Sequence, residues 1–216
     1  MARKRSLDEG PVIRGSILTA AAELFHQRGY GTTSIRDIAE AAGIASSTLY
    51  HHFANKQAIL YAIVINFMTD FVASTSAVLA DSTLSPEAKI ARTVRLHVEM
   101  SDERRPELLI GNPIRYALSP DQQQDGVALQ TIYHDCVRDT IDAGVQAGDF
   151  VAPDTNLATM AVLDMLNGIR EWYNPAGELG REALIETYTS MIFRLLGAEA
   201  VSVVRDKSDR DAASAI

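Results

Sequence analysis

The sequence predicts an all-α protein of about nine helices. Apolar residues recur every three or four positions over most of the 216 residues, and no segment has the strict alternation of a half-buried strand. Helix signals such as the Ser-Pro-Glu start at 85–87 and the stop at Gly148 divide the chain into helical lengths. Hydrophobic residues make up 47% and charged residues 22%, which is typical of a globular protein and excludes a disordered chain.

Four helices are predicted in the first third of the chain, over residues 11–28, 34–42, 46–51 and 55–79. The second begins with Ser34 as its N-cap and Asp37 three residues later, a pattern similar to a capping box. The third is expected to use Ser46 as its cap, because Ala45 has no side-chain oxygen. Gly43 ends the second helix, so a short turn joins helices two and three.

The rest of the chain predicts further helices over residues 85–100, 106–118, 127–147, 153–173 and 181–196. Residues 119–126 include three consecutive glutamines and are expected to form a loop or a ragged helix start. The predicted organisation is a first unit over 1–56, a larger helical unit over 57–204 and a loose polar tail over 205–216.

Charge is unevenly distributed along the chain. Residues 1–56 hold seven basic and five acidic residues, whereas residues 57–216 hold 13 basic and 23 acidic ones. The net charge of the whole chain is −8. A slightly basic first unit on an acidic body is compatible with a nucleic-acid-binding head, although chance explains so small an excess equally well.

Several function classes are disfavoured by composition. The longest apolar run, residues 59–65, is too short to span a membrane. The single cysteine, Cys136, excludes an intramolecular disulfide and a CxxC metal or redox site. We therefore expect a soluble, cytoplasmic protein that needs neither a metal nor a cofactor.

Two short helices joined at Gly43 and flanked by longer helices are typical of a helix-turn-helix. The third helix is the candidate recognition helix, because residues 45–48 are small enough to approach the bases in a groove about 12 Å wide. Its outward residues are expected to be Ser46, Ser47, Thr48, Tyr50, His51 and His52. These residues carry hydroxyl and imidazole groups and no acid that would repel phosphate.

The segments Thr32 to Ile44 and Thr48 to Lys56 together resemble the DNA-binding signature of TetR/AcrR-type repressors. The resemblance covers roughly residues 12–60. It implies a homodimeric repressor that binds a palindromic operator in double-stranded DNA and has a C-terminal ligand-binding and dimerisation domain. The DNA contacts that it implies are Thr33 or Ser34 and Arg36 on helix two, Thr48, Tyr50, His51 and His52 on helix three, and Lys56 as a phosphate clamp.

The second unit contains polar and polarisable residues on mostly apolar helices, which predicts a small-molecule site. The candidate ligand contacts are His97, Met100, Tyr116, Tyr133, Asp164, Asn167 and Trp172, with Arg115 and His134 beside them. Each of these has an ordinary alternative as a surface or core residue. Residues 172–177 also resemble a stretch in regulators of lipid and acyl-CoA degradation, which implies a small apolar effector of that class that releases the DNA.

Helices eight and nine are apolar on nearly all sides, which predicts burial on more than one face. Two such helices from each of two chains would form a four-helix dimer interface. The expected interface residues are Met160, Leu163, Ile185, Tyr188, Ile192 and Leu195.

Two other functions are weighed against a regulator. A helical carrier protein would have a basic head of purely structural use, and an all-α enzyme would use His134 or Asp164 as a base. Consecutive helical residues such as 134–136 cannot form a nucleophile–base–orienter line, and no phosphate-binding loop occurs. The helix-turn-helix signature argues against both alternatives, so we do not expect an enzyme.

Overall fold

A computed structural model describes residues 5–111 and 117–198, with side chains over 10–110 and 117–198. Within these residues the fold contains nine helices and no strand, which confirms the predicted all-α class. The helices are α1 (Arg5–Arg28), α2 (Ile35–Ala41), α3 (Ser46–His52), α4 (Lys56–Ala80), α5 (Pro86–Glu103), α6 (Arg105–Gly111), α7 (Pro120–Ala147), α8 (Thr155–Trp172) and α9 (Arg181–Leu195).

Two helices begin earlier than the sequence predicts. α1 begins upstream of Pro11 and continues through it. α7 begins at Pro120, so the expectation of a loop or ragged start over 119–126 is wrong. A capping box explains this start: the Ser119 hydroxyl accepts from the Gln122 N–H at 3.3 Å, and the Gln122 side chain accepts from the Ser119 N–H at 3.1 Å.

Two predicted features lie outside the described residues. α6 ends at Gly111, and residues 112–116 of the helix predicted over 106–118 are not described, among them Arg115 and Tyr116. The predicted loose tail over 205–216 also lies beyond the described part of the chain.

α7 ends as expected at Gly148, whose φ of 82° is a left-handed conformation that favours glycine.

Two apolar cores organise the helices. The first joins α1, α2, α3 and the start of α4 around Phe25, Ile38 and Leu49. The second joins α4, α5, α7, α8 and α9 around Val98 and Ile141. α4 supplies buried residues to both cores, so it connects the two units directly.

The first core extends beyond the predicted limit at residue 56. It includes residues 59–63 of α4, together with Ile110 of α6 and Leu118. α6 therefore packs on α1 and α4, although it lies far from them in the sequence. The exact domain limits stay a prediction, but the first unit shares its core with an element of the second.

Among the described helices, α4 is long and apolar enough, by length and composition, to cross a membrane. This is weak evidence for a membrane span, because core helices of soluble proteins pass the same test. The buried residues of α4, such as Ile59, Leu60 and Phe71, belong to the two protein cores.

Candidate DNA-binding surface and effector cavity

α2 and α3 form a helix-turn-helix whose inner face belongs to the first core. Gly43 has a φ of 68° and donates its N–H to the Glu40 carbonyl at 3.0 Å, which ends α2 and reverses the chain. Ile38 and Leu49 are fully buried on the inward faces of the two helices. Because these residues fix both helices against α1, the opposite face of α3 points away from the protein.

The outer face of α3 is open. Tyr50 is 56% exposed, Ser47 and His51 are exposed, and the remaining predicted contacts of this helix are half-buried, namely Ser46, Thr48 and His52. No acidic residue lies between residues 41 and 56. This surface can therefore approach a polyanion without charge repulsion.

α2 begins with the predicted capping box. The Ser34 hydroxyl accepts from the Asp37 N–H at 3.2 Å, and the Asp37 carboxylate accepts from the Ser34 N–H at 2.8 Å. Hydrogen bonds from Ser34 hold the pKa of Asp37 below its usual range. Ser34 and Arg36 are exposed, so both remain available to a phosphate.

The start of α3 differs from the prediction. Ala45 is the N-cap residue and makes no side-chain hydrogen bond, whereas Ser46 is the first helical residue. The expectation that Ser46 caps this helix is therefore wrong. The N-cap side chain therefore accepts no hydrogen bond from the first N–H groups of α3. Burial of Leu49 stabilises the position of the helix instead.

Thr33 is buried and cannot contact a phosphate with its side chain. It is 1% exposed, and its hydroxyl donates to the Gly29 carbonyl at 2.9 Å. The prediction of Thr33 as a DNA contact is wrong for this reason. The hydroxyl instead fixes the turn between α1 and α2.

Lys56 holds the same turn from the start of α4. Its Nζ donates to the Tyr30 carbonyl at 2.6 Å and to the Thr33 carbonyl at 2.7 Å, with a longer contact to the Gly31 carbonyl at 3.5 Å. An ammonium has three N–H donors, and all three point to backbone oxygens here. In this structure the Lys56 ammonium therefore stabilises the α1–α2 turn, and its predicted role as a phosphate clamp stays a prediction.

A cavity of about 430 Å³ lies between α4, α5, α7 and α8. Four predicted ligand contacts line it: His97, Tyr133, Asp164 and Asn167. His134, which the sequence places beside them, lines the cavity as well. Most of the exposed wall is apolar, and α4 contributes more of its apolar residues than any other helix. The predicted small-molecule site therefore has a matching space.

Two predicted ligand contacts do not reach this cavity. Trp172 is 52% exposed and stacks on Tyr188 with ring centroids 6.1 Å apart. Met100 packs against the second core. Neither side chain is among those that line the cavity, so the structure does not bring them together with the other predicted ligand contacts.

The polar groups deep in the cavity are uncharged at neutral pH. His97 is 5% exposed, and burial, with a smaller effect from the nearby Arg170 charge, lowers its pKa to about 4. Burial raises the pKa of Tyr133 above its usual value. Both rings stand edge-on to Phe71, at centroid distances of 5.2 and 5.0 Å.

Several cavity residues were missed by the sequence reading. Tyr61, Gln123, Gln130 and Arg170 all line the space. Gln123 was overlooked because residues 119–126 were expected to form a loop or a ragged helix start, although the Ser119–Gln122 spacing already indicated a helix start. Tyr61 gave no signal, since an aromatic residue on an apolar helix normally belongs to a core.

Two hydrogen bonds join the first turns of α4 to the segment around the start of α7. The Tyr61 hydroxyl donates to the Asp125 carboxylate at 2.6 Å, which raises the pKa of Tyr61. The Gln57 side chain donates to the Ala117 carbonyl at 2.6 Å. α4 thus contacts the cavity rim one turn away from Lys56 and the DNA-binding head.

The predicted dimer residues divide into two groups. Ile185 and Ile192 are buried in the core of the single chain, so the structure contradicts their assignment to an intermolecular surface. Met160 and Leu195 are exposed, whereas Leu163 and Tyr188 are half-buried. The other large apolar side chains exposed on these two helices are Leu157, Trp172 and Met191.

Comparison with known proteins agrees with the helix-turn-helix and the helical second unit. Residues 17–63 match the family described as bacterial regulatory proteins, tetR family, and residues 83–196 match the tetracyclin repressor-like C-terminal domain. The second match alone spans more than half of the chain. The chain belongs to the TetR family.

Individual TetR-family proteins align over most of its length. The chain is 29% identical over 181 residues to the HTH-type transcriptional repressor KstR2 of Rhodococcus jostii (strain RHA1), covering 83% of this chain and 88% of the relative. The crystal structure of the TetR-family regulator PfmR from Thermus thermophilus is 32% identical with a TM-score of 0.77, covering 82% and 97% of the two chains. The ketosteroid transcriptional regulator KstR2 of Mycobacterium tuberculosis is 26% identical with a TM-score of 0.74, covering 87% and 95%.

This TetR-family protein is therefore a ligand-responsive transcriptional regulator that binds DNA through its helix-turn-helix, and it is not an enzyme. The expected repressor class is confirmed by these relatives.

Proposed function

We propose that this TetR-family protein is a cytoplasmic repressor that binds a palindromic operator as a homodimer and is released by a small apolar effector. The observation that carries the proposal is the open, acid-free outer face of α3, fixed by a buried inner face to a unit that also contacts the cavity-lining helix α4. Repression, rather than activation, of transcription is supported by the relatives that are named as repressors.

The proposed reading surface consists of α3 and the start of α2. Thr48, Tyr50 and His51 contact bases or the adjoining backbone, while Ser34 and Arg36 contact phosphates. The open face of α3 supports this assignment, since a recognition helix must present its first turns to the major groove. Ser46, Ser47 and His52 complete the surface.

The proposed homodimer forms through α8 and α9. Apolar side chains exposed on these helices, including Met160, Trp172, Met191 and Leu195, support such an interface, because monomeric proteins rarely leave large apolar patches open. A two-fold dimer would present two copies of α3 to inverted half-sites, separated by one helical turn of DNA or a multiple of it.

The proposed effector is an apolar molecule, such as an acyl-CoA or a related lipid metabolite, that enters the cavity between α4 and α7. Apolar side chains from α4, among them Val64, Phe67 and Met68, support this class. A volume of about 430 Å³ is within the range of small-molecule sites.

Release of DNA is proposed to pass through α4. The same helix contacts the cavity with Tyr61 and holds the α1–α2 turn with Lys56. An effector regulates DNA binding only if it binds the DNA-free arrangement more tightly than the DNA-bound one. Displacement of α4 by a ligand would change the position of both recognition helices in the dimer.

Selection from random DNA duplexes tests the DNA part of the proposal. We expect an enriched inverted repeat with two-fold symmetry, and a failure to enrich any inverted repeat would contradict the proposed operator. Mass spectrometry of compounds that copurify with the protein then identifies candidate effectors. A true effector must both raise the melting temperature and release the selected operator.

A further inference from the structure

Two residues that line the cavity each carry a buried polar atom without a hydrogen-bond partner. Among the described side chains, the buried atoms without a partner are the His97 Nδ1, the Tyr133 hydroxyl and the Thr93 hydroxyl. His97 and Tyr133 line the cavity, whereas Thr93 does not. Buried polar groups in native proteins are nearly always paired, so two orphans in one ligand cavity indicate partners that a ligand supplies.

The two atoms have complementary roles. The Leu166 backbone raises the pKa of His97 slightly against the larger effect of burial, and Nδ1 is the ring nitrogen without a partner, so the neutral ring can accept a hydrogen bond there. The Tyr133 hydroxyl keeps its proton at neutral pH and can donate it. Their contacts with the same Phe71 ring make them neighbours in one wall.

Charges around the cavity disfavour an anionic group at this position. Arg170 is paired with Glu171 at 3.0 Å, and Glu107 is paired with Arg104 at 3.2 Å. Asp164 adds an acidic group that is exposed. An anion buried beside His97 and Tyr133 would contact two neutral side chains, and Arg170, the cation whose charge acts on His97, is already paired with Glu171.

We propose that the effector is a molecule whose buried end is uncharged and carries a hydroxyl group on an apolar skeleton. This inference rests on the proposed effector site. The ligand hydroxyl donates to the His97 Nδ1 and accepts from the Tyr133 hydroxyl. Because both atoms are closed to solvent, the ligand reaches them by a small shift of the two rings and gains bonds for which water does not compete.

Equilibrium dialysis with three probes of the same chain length tests the proposal. Octane has no polar group, octan-2-one has only a hydrogen-bond acceptor, and octan-1-ol has both a donor and an acceptor. Tyr133→Phe should lower the affinity for octan-1-ol and for octan-2-one by about tenfold and leave the affinity for octane unchanged. His97→Leu should weaken octan-1-ol but not octan-2-one, which has no proton to donate. In the wild type, octanoate should bind more weakly than octan-1-ol.

Thr93→Val is the matched control, because it removes the orphan hydroxyl that lies outside the cavity. It should change the affinity of no probe. Tyr133→Phe should fold normally and keep or raise the melting temperature, because the atom that it removes has no partner.

The outcomes separate this inference from the proposed function. If Tyr133→Phe affects all three probes equally, or if octanoate binds as tightly as octan-1-ol, the hydroxyl proposal is overturned while the effector site stands. If none of the probes binds to the wild type, the hydroxyl proposal is overturned, whereas the effector site is tested by the copurified compounds and by operator release.

Discussion

The Lys56 ammonium lies 4.4 Å from the centroid of the Tyr30 ring and donates to the Tyr30 carbonyl beneath it. Tyr30 in turn stands edge-on to Phe25 of the first core, at a centroid distance of 5.1 Å. One side chain therefore joins the N-terminus of α4 to the turn before α2. This contact, rather than a phosphate contact, explains why a lysine suits the start of α4.

Lys56→Met should weaken binding to all DNA duplexes alike and leave the salt dependence of binding nearly unchanged. The ammonium of Lys56 has its N–H donors on backbone carbonyls, so its loss releases the turn but removes no phosphate contact. Loss of these charge-assisted hydrogen bonds should lower the free energy of unfolding by about 1–3 kcal/mol. Fluorescence anisotropy at several salt concentrations measures the affinity, and thermal unfolding measures the stability.

Arg36→Ala is the control for the salt experiment, because Arg36 is exposed. It should flatten the plot of log affinity against log salt by about one unit, as expected for one lost phosphate contact. A similar flattening in Lys56→Met would show that Lys56 leaves the turn and contacts DNA.

His51→Ala should change which base is preferred at one position of each half-site. His51 is exposed on the outer face of α3, where a side chain can reach base edges in the major groove. The expected loss of discrimination is about 1–3 kcal/mol at that position. Selection of duplexes with wild type and variant measures the preference, and His26→Ala, an exposed histidine on α1, should select the wild-type sequence.

Leu195→Glu should produce a folded monomer, whereas Ile192→Glu should unfold the chain. Leu195 is 39% exposed in the single chain, and Ile192 is fully buried in the second core. A charge at Leu195 therefore affects only the proposed interface, while an unpaired charge at Ile192 costs several kcal/mol within the fold, by order of magnitude. Sedimentation velocity and circular dichroism separate the two results.

The dimer proposal fails if wild type is a monomer at micromolar concentration, or if Leu195→Glu remains a dimer. Trp172 gives a second readout, because it is half exposed beside Tyr188. Its fluorescence should shift to shorter wavelength as wild type dimerises, and Leu195→Glu should lack this concentration dependence.

Local signals made much of the fold predictable, and tertiary contacts limited the rest. The Ser34–Asp37 cap and the Gly43 turn depend on neighbouring residues, so spacing alone reveals them. The Lys56 contact joins residues 26 positions apart and has no local signature. No pattern in the sequence indicates that Lys56 faces backbone carbonyls.

The error at Trp172 has a different cause. Leu166, Ile169 and Tyr173 form the buried stripe of α8, and Trp172 lies one residue, or about 100°, away from Tyr173. Helical periodicity therefore already indicated that Trp172 faces outward. The chemistry of the indole suggested a ligand contact, although the position of Trp172 on the helix did not favour one. Ile192 was assigned to the dimer surface because helix nine is apolar on nearly all sides, which does not separate its inner face from its outer face.

Stability should fall as the pH decreases from about 6.5 toward 4, partly because of His97. Burial lowers the pKa of His97 from 6.5 to about 4, so over this range the unfolded chain binds a proton that the native protein does not. The contribution of neutral His97 to the free energy of unfolding is complete above about pH 6.5. Between about pH 6.5 and 4 it falls by about 1.4 kcal/mol per pH unit.

Urea unfolding of wild type and His97→Leu at several pH values should show a smaller pH dependence of stability in the variant. His26→Gln, which replaces an exposed histidine, should follow wild type. Identical pH slopes for wild type and His97→Leu would mean that His97 takes up its proton while folded, and its assignment as a neutral acceptor in the cavity would then fail.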